Sequence, residues 1–539
     1  MKILIERIEK AHASFYNWIA AFFGLVLTRV LLENIANDNI RGVLLSDVQY
    51  MLHILLWYAG TYLSLVIVIY LFTFEKIEKA SKYVMFVFLL IWLTAIIDLL
   101  LFQGDGQRLG YIYETPSNMF RVFLTWFSQF SPMSVGQRIV IPLVVLACGY
   151  YVHLKTKKNI LTGTAALISC LALFAWGAVP SLFKWFYDLI HAYGASETRL
   201  SVVNFFIDAA NNSVHRLNVI LPELTYSHSY FMEYLQAVLF SKIFFLLLVI
   251  LIALWGIAYD KKKFLAVVAN VRLFGITHYY LNILIGLLLA SSVIGINYDW
   301  VFCLSVLVMF LSCYFAYMFA MGVNDISDFE IDKVSNTERP LVQKVLTPEE
   351  LKNYNLVFLL LALIGASLTG PIAFYMIVVA LAVSYIYSAE PLRLKRIPFL
   401  ATFLIGIATL AMMVMGFFFV NYSKSIEQFP NEIILAVLSF FTLWGNVKDI
   451  KDREGDATGG VQTLANFLDM RKSKSLIATL AVTAYMLVPL ILQNRELLFF
   501  SFFAAVVTSY LIYRKNYSHY SVFMVYFTYL IFCMLIVSR

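Results

Sequence analysis

Continuous apolar runs, each about as long as a helix needs to cross a bilayer, alternate along the chain with short polar breaks. In the first half they fall near residues 14–33, 48–73, 83–102, 138–153, 160–183 and 236–258. Nine more follow near 273–294, 299–322, 354–370, 371–388, 399–420, 432–447, 474–492, 497–513 and 517–537. Because the runs do not alternate in the way barrel strands do, they predict helices and exclude an outer-membrane barrel. The expected fold is an all-α polytopic membrane protein with about fifteen transmembrane helices.

Composition sharpens the exclusion. Of 539 residues, 61% are hydrophobic and only 14% charged, against roughly 25% charged in soluble domains. Soluble dehydrogenases, secreted disulfide scaffolds and nucleic-acid binders are ruled out. The five cysteines (Cys148, Cys170, Cys303, Cys313, Cys533) lie in or beside apolar runs with no CxxC pair, and read as small buried hydrophobes. The opening MKILIERIEKAHASF has no small-residue cleavage site, so the first run is expected to be a retained span.

The net charge of +7 matters through its placement. Lys2, Arg7 and Lys10 precede the first run; Lys76, Lys79 and Lys82 follow the second; Lys155, Lys157 and Lys158 follow the fourth; Lys261, Lys262 and Lys263 follow the sixth. The same alternation continues through Lys333–Lys352, Arg393–Arg396, Lys448–Lys474 and Arg514–Lys515. Basic connections stay inside, so the expectation is a multi-pass protein whose N-terminus and basic connections are cytoplasmic. The longer connections 103–137 and 184–235 then fall outside, with segments such as Asn118 to Phe130 suited to interfacial helices. The sequons at Asn211 and Asn421 read as chance. The polar, basic stretch 259–272 divides the chain into an accessory domain of six spans at 1–258, a cytoplasmic linker, and a nine-span domain at 273–539.

Acidic residues gather at two inner span ends. Asn324, Asp328 and Asp332 follow one another at i, i+4, i+8, and Asp449, Asp452 and Asp456 at i, i+3, i+7, so each set shares one helix face. Stacked carboxylates beside hydrocarbon need a compensating cation. An all-oxygen set suits Mg²⁺, which is held by one or two carboxylates together with substrate phosphate oxygens. Two such ends on one side read as a clamp for a diphosphate. Arg339, Arg393, Lys395 and Arg396 are suited to phosphate oxygens. In the first half, Arg29 with Glu33 and Asp98 read as structural ion-pair or snorkelling groups. The eight histidines are scattered, with no HExxH, P-loop or GxSxG motif.

Over about 265–539 these residues resemble the UbiA superfamily of intramembrane prenyltransferases. The resemblance rests on Asn324-Asp-x-x-Asp328-x-x-x-Asp332, on Tyr387-Ser-x-x-Pro391 with its basic run, and on Asp449-x-x-Asp452-x-x-Gly455-Asp456 with Gly460 and Thr463-Leu464 beyond. It implies a ring of nine helices around a central cavity, and Mg²⁺-dependent transfer of an isoprenyl chain from a prenyl diphosphate to an acceptor within the membrane. Carried across, it makes Asn324, Asp328, Asp332, Asp452, Asp456 and Tyr387 the catalytic candidates. Asp325, Asp328, Asp332, Asp449, Asp452 and Asp456 become the metal candidates, and Arg339, Arg393, Lys395 and Lys448 the diphosphate contacts. Tyr279, Tyr280 and Tyr387 are candidates for placing an aromatic face near a developing allylic cation. Where many members have Tyr-x-x-x-Lys, Tyr387 is followed by Pro391, and Glu390 stands where the variant of the chlorophyll, tocopherol and related synthases has its first proline. The acceptor therefore stays open among aromatic, tetrapyrrole, glycerol phosphate and sugar phosphate. Two rival readings remain: cyclisation of the polyprenyl diphosphate, and a non-enzymatic cation or lipid site. The first six spans have no recognised counterpart and suit a scaffold, a wall toward membrane lipid or a surface for a protein partner.

Overall fold

The computed structural model describes residues 2–36, 48–102, 112–128, 133–191, 201–213, 228–291, 298–421, 426–458 and 460–537. Among them fifteen helices are long and apolar enough to cross a membrane, in one-to-one order with the runs read above, and there is no strand. The protein is a multi-pass membrane protein. Helix starts follow from local chemistry: Thr347 and Glu350 form a capping box ahead of Pro348, and Asp299 accepts from the Phe302 N–H at 2.8 Å. Between the adjacent runs ending at 369 and beginning at 371, Gly370 adopts φ 144° and hands over directly to Pro371.

The helices pack into two units that divide at Phe264 and Leu265. In the first, Glu9 ties the N-terminal helix Lys2–Lys10 to its neighbours: its carboxylate accepts from the Tyr151 hydroxyl at 2.8 Å and pairs with Lys155 at 2.6 Å. Asp98 accepts from the Gly136 N–H at 2.8 Å, at the start of helix Val135–Thr156, which gives that intramembrane carboxylate a capping role. The Glu33 and Asn211 side chains and much of 103–137 and 184–235 lie outside the described residues; within them, a helix over Pro116–Leu124 is capped by Thr115. The stretch 259–272 is largely helical, because His228–Ala269 continues through it across a kink at Asp260. There the Asp260 carboxylate accepts from the Lys263 N–H at 3.0 Å and so caps a new helical segment. Of the cysteines, Cys148, Cys170 and Cys313 are buried, Cys533 is half-buried and Cys303 is exposed.

The second unit, Leu265–Arg539, carries the acidic motifs. Its main helices are α1 (Leu273–Ser291), α2 (Trp300–Ser327), α3 (Phe329–Ser335), α4 (Pro348–Thr369), α5 (Pro371–Ser388), α6 (Leu400–Val420), α7 (Asn431–Trp444), α8 (Asp449–Thr458), α9 (Met470–Ile491), α10 (Arg495–Tyr513) and α11 (His519–Val537). Neighbour contacts run α1–α2–α5–α6–α7–α9–α10–α11 and back to α1, with α4 against α2 and α5, so the spans close into a ring. Paired glycines set the α1–α6 crossing: a Cβ on Gly286 would lie 1.9 Å from the Met413 carbonyl oxygen, and one on Gly416 2.1 Å from that of Ile283. His278 fastens α1 to α6 and α11, with Nε2 2.8 Å from Thr409 Oγ1 and Nδ1 2.8 Å from the Tyr526 hydroxyl. Since the Thr409 hydroxyl donates to the Ile405 carbonyl, Nε2–H is the donor and Tyr526 donates to Nδ1.

Candidate active site

The helix ends of the ring surround a cavity of about 410 Å³ within the second unit. Asn324, Asp328, Asp332, Arg339, Tyr387, Lys395, Lys448, Asp449, Asp452 and Asp456 all line it. Its other walls include Cys313, Ala316, Ala380, Leu404, Ala408 and Met412. Along α2, Cys313 lies roughly 20 Å from Asp328 at the helical rise. The cavity therefore passes from an acidic and basic end into an apolar interior, and both acidic motifs open on the same end.

The first motif remains a stripe although α2 ends at Asp328, because backbone hydrogen bonds continue from Asp328 N–H to Asn324, Asp332 to Asp328, and Asn336 to Asp332. Its side chains link in the same order. Asn324 Nδ2 donates to Asp328 Oδ2 at 2.7 Å, and Asn336 Nδ2 donates to Asp332 Oδ1 at 2.9 Å. Asp332 Oδ2 is buried with no hydrogen-bond partner. Burial pushes the Asp332 carboxyl up to about 6 against the opposing Asn336 hydrogen bond, with Asp325 and Asp328 adding to the rise. A buried, unbonded carboxylate oxygen facing other carboxylates is a fitting place for a cation.

The second motif reaches the first because α8 packs directly on α3. Gly455 makes this approach possible: a Cβ there would lie 2.6 Å from Ser335 Oγ and 2.8 Å from Ser335 Cβ. Just before α8, Lys448 Nζ donates to the Tyr387 hydroxyl at 2.7 Å and sits 5.1 Å from the centre of its ring. Tyr279 also lines the cavity. Among the described residues no three Asp, Glu, His or Cys side chains converge into a closed metal set. The donors present are carboxylate oxygens spread along two helices, which fits a hard ion completing its shell with water and phosphate oxygens.

Three expected site residues are placed elsewhere. Asp325 points away from the cavity, one position around α2 from the stripe, and is 2% exposed. Its oxygens are taken by Arg272 at 2.7 Å and Asn270 at 2.5 Å, which anchors the connection before α1 to α2. Arg393 does not line the cavity; its guanidinium meets Asp328 Oδ1 at 2.9 Å, so its direct partner is a carboxylate. Tyr280 faces an apolar groove with Phe302 and Phe310, away from the cavity, and donates to the Phe310 carbonyl at 3.2 Å. Lys395 lines the cavity and also donates to Asp328 Oδ1; burial pushes its ammonium down while Asp328 opposes the shift.

Arg272, His278, Asn336 and Lys451, which the motifs do not include, line the cavity as well. Arg272 links the stripe to Asp325 by also donating to Asn324 Oδ1 at 3.1 Å. Asn336 continues the i+4 series by one more step and was legible on that ground. Arg272 and Lys451 looked like ordinary basic residues of a connection, and no local pattern sets His278 apart.

Residues 279–531 match the model of the UbiA prenyltransferase family. The digeranylgeranylglyceryl phosphate synthase of Pyrococcus horikoshii is 27% identical over 169 residues, covering 31% of this chain and 58% of that protein. That of Saccharolobus solfataricus is 31% identical over 175 residues, with 31% and 58% covered. The chloroplastic chlorophyll synthase of Avena sativa is 29% identical over 184 residues, with 31% and 48% covered. The chain thus spans about half the length of these curated relatives. Among solved structures, a UbiA homolog from Archaeoglobus fulgidus bound to GPP and Mg²⁺ is 18% identical with a TM-score of 0.39, covering 49% of this chain and 96% of that one. The match to the UbiA prenyltransferase family model thus falls within the second unit, which carries the acidic motifs.

Proposed function

We propose that the second unit transfers an isoprenyl chain from a prenyl diphosphate to an acceptor inside the membrane, with Mg²⁺ as cofactor. The observation that carries this is one cavity joining two acidic stripes and several cations at one end to an apolar interior. Asp328, Asp332, Asp452 and Asp456 would hold the metal with the diphosphate, with Asp449 one turn earlier and Asn324 fixing Asp328. When bound, Mg²⁺ supplies positive charge to a leaving diphosphate. Lys395, Lys448 and Arg339 line the same end and add to it. Carbon–oxygen cleavage would leave an allylic cation on the chain, within the cavity lined by Tyr279 and Tyr387 and shielded from water by the apolar wall, until the acceptor's nucleophilic atom bonds to it and gives up its proton. The product named for the archaeal digeranylgeranylglyceryl phosphate synthases agrees with this reading.

The first unit supplies none of these residues. We assign it an accessory role, as a scaffold, a wall that presents lipid, or a surface for a protein partner, separated from the catalytic unit at 259–272. From the charge alternation we place the N-terminus and the acidic ends on the cytoplasmic side. The test is to incubate the purified protein with an isotope-labelled prenyl diphosphate and a membrane lipid extract, then follow the label by mass spectrometry. Label in a new prenylated lipid is the expected result. Label in a cyclised hydrocarbon formed without acceptor, or no consumption of the donor, would refute the transfer reaction.

A further inference from the structure

Asp328 and Asp332 stand one helical turn apart on the same stripe, yet their surroundings differ. Asp332 keeps one oxygen buried and unbonded. Both Asp328 oxygens are engaged: Oδ2 accepts from Asn324 at 2.7 Å, and Oδ1 accepts from both Arg393, at 2.9 Å, and Lys395. All three charged groups are buried, at 8% exposed for Asp328, 9% for Arg393 and 8% for Lys395. The two cations are not equivalent. Arg393 sits in the left-handed region at φ 40°, has Glu390 at 3.8 Å on its other nitrogen, and does not line the cavity. It is braced behind the carboxylate. Lys395 lies on the cavity wall at the end of a flexible stem, so its ammonium can turn from the carboxylate to a group inside the cavity.

We infer that Lys395 is an exchange cation: it and a divalent ion are alternative partners of Asp328 Oδ1, and the incoming diphosphate is what draws Lys395 away. The inference rests on the proposed diphosphate clamp and deepens it. The lone pairs of one oxygen that bind an ammonium are those that bind a metal, and Oδ1 already holds two cations, so a third on that oxygen is crowded against both in a buried setting. A metal that takes Oδ1 without diphosphate must therefore displace the Lys395 ion pair and leave an ammonium buried without its counter-ion. Diphosphate alone meets a lysine already neutralised and unpaired carboxylates beside it. Arriving together, the metal takes Asp328 and the diphosphate takes Lys395, so every charge keeps a partner. The site thus loads metal and diphosphate with positive coupling, and Lys395 is a positioning residue whose pairing with Asp328 weakens each ligand by itself.

The test is a Mn²⁺ titration of the full-length protein by electron paramagnetic resonance, with and without inorganic pyrophosphate, in wild type, Lys395→Gln, Lys395→Met and Lys448→Gln. Coupling free energies of this type correspond to roughly 5- to 150-fold changes in affinity. Wild type is expected to bind Mn²⁺ about tenfold tighter with pyrophosphate. Lys395→Gln and Lys395→Met, the second keeping an unbranched stem in case the first does not fold, are expected to bind Mn²⁺ alone about tenfold tighter than wild type and to gain less from pyrophosphate. Lys448→Gln removes a cavity charge bonded to Tyr387 instead of a carboxylate, and is expected to move Mn²⁺ affinity less. Unchanged or weaker Mn²⁺ binding in the Lys395 variants, or an equal gain in Lys448→Gln, would overturn the exchange while leaving the clamp in place. A wild-type protein that binds no Mn²⁺ even with pyrophosphate would overturn both.

Discussion

Gly455→Ala tests how the two acidic motifs are held together. On propensity alone the change favours helix α8 by about 1 kcal/mol. Contact decides otherwise: the new Cβ would lie 2.6 Å from Ser335 Oγ, 2.8 Å from Ser335 Cβ and 3.3 Å from Ile331 Cγ2. The hydroxyl can rotate, but the Ser335 Cβ belongs to α3 and moves only with its backbone. Restoring an ordinary carbon contact requires α3 and α8 to part by roughly half an ångström or more, and overpacking of this kind costs about 1–3 kcal/mol. Asp328 and Asp332 lie at and along the start of α3, and Asp452 and Asp456 on α8, so the separation widens the clamp itself. Misplacement by about 1 Å costs on the order of 100-fold in rate, so a loss of about 10- to 100-fold is expected. Pyrophosphate release from a prenyl diphosphate, measured beside thermal unfolding in detergent, separates the two effects. Ser335→Gly removes both atoms nearest the new methyl, so the double variant Ser335→Gly/Gly455→Ala should recover most of the lost rate. Full activity in Gly455→Ala, or no recovery in the double variant, would refute the argument that close approach at Gly455 sets the clamp.

Other expectations follow from the same placements. Asp325→Ala should lower thermal stability by about 1–3 kcal/mol, because Arg272 loses its carboxylate partner, while Mn²⁺ binding with pyrophosphate persists; loss of metal binding without loss of stability would restore Asp325 as a ligand. Residues 265–539 expressed alone should retain Mg²⁺-dependent diphosphate binding, since every candidate ligand lies there, with turnover on the natural acceptor reduced; a folded fragment that binds no prenyl diphosphate would assign part of the donor site to the first unit. Single cysteines introduced at Arg453 and Asp208 should label from the cytoplasmic and external sides respectively, and the reverse would overturn the charge-based orientation.

The span order was legible because a bilayer imposes a length on every apolar run, and that length survives whatever the helices pack against. The stripe of Asn324, Asp328 and Asp332 was legible because helical spacing alone puts the three on one face. Asp325 lies outside the cavity for the converse reason: adjacency in sequence to the stripe says nothing of direction, and one residue around a helix turns a side chain by about 100°. Arg393 precedes a single 3₁₀ turn, Leu394–Arg396, that carries Lys395, and its left-handed backbone, which no sequence period reports, separates the directions of the two side chains. Gly455 was quoted as part of a motif, but its purpose lies in Ser335, 120 residues away in sequence by the difference of the two numbers. Asp260 reads in sequence as part of a polar connection, although its side chain starts a helical segment.

The most direct test of the central claim is pyrophosphate release from a panel of prenyl diphosphates by the purified full-length protein, in Mg²⁺ and after chelation with EDTA, with Asp328→Asn and Asp452→Asn alongside. Release should require a divalent ion and fall by about 100-fold or more in each variant, beyond the 10- to 100-fold typical of losing only an outer partner of a metal ligand. Release unaffected by chelation, or wild-type rates in both folded variants, would contradict a metal–diphosphate clamp formed by the two acidic stripes.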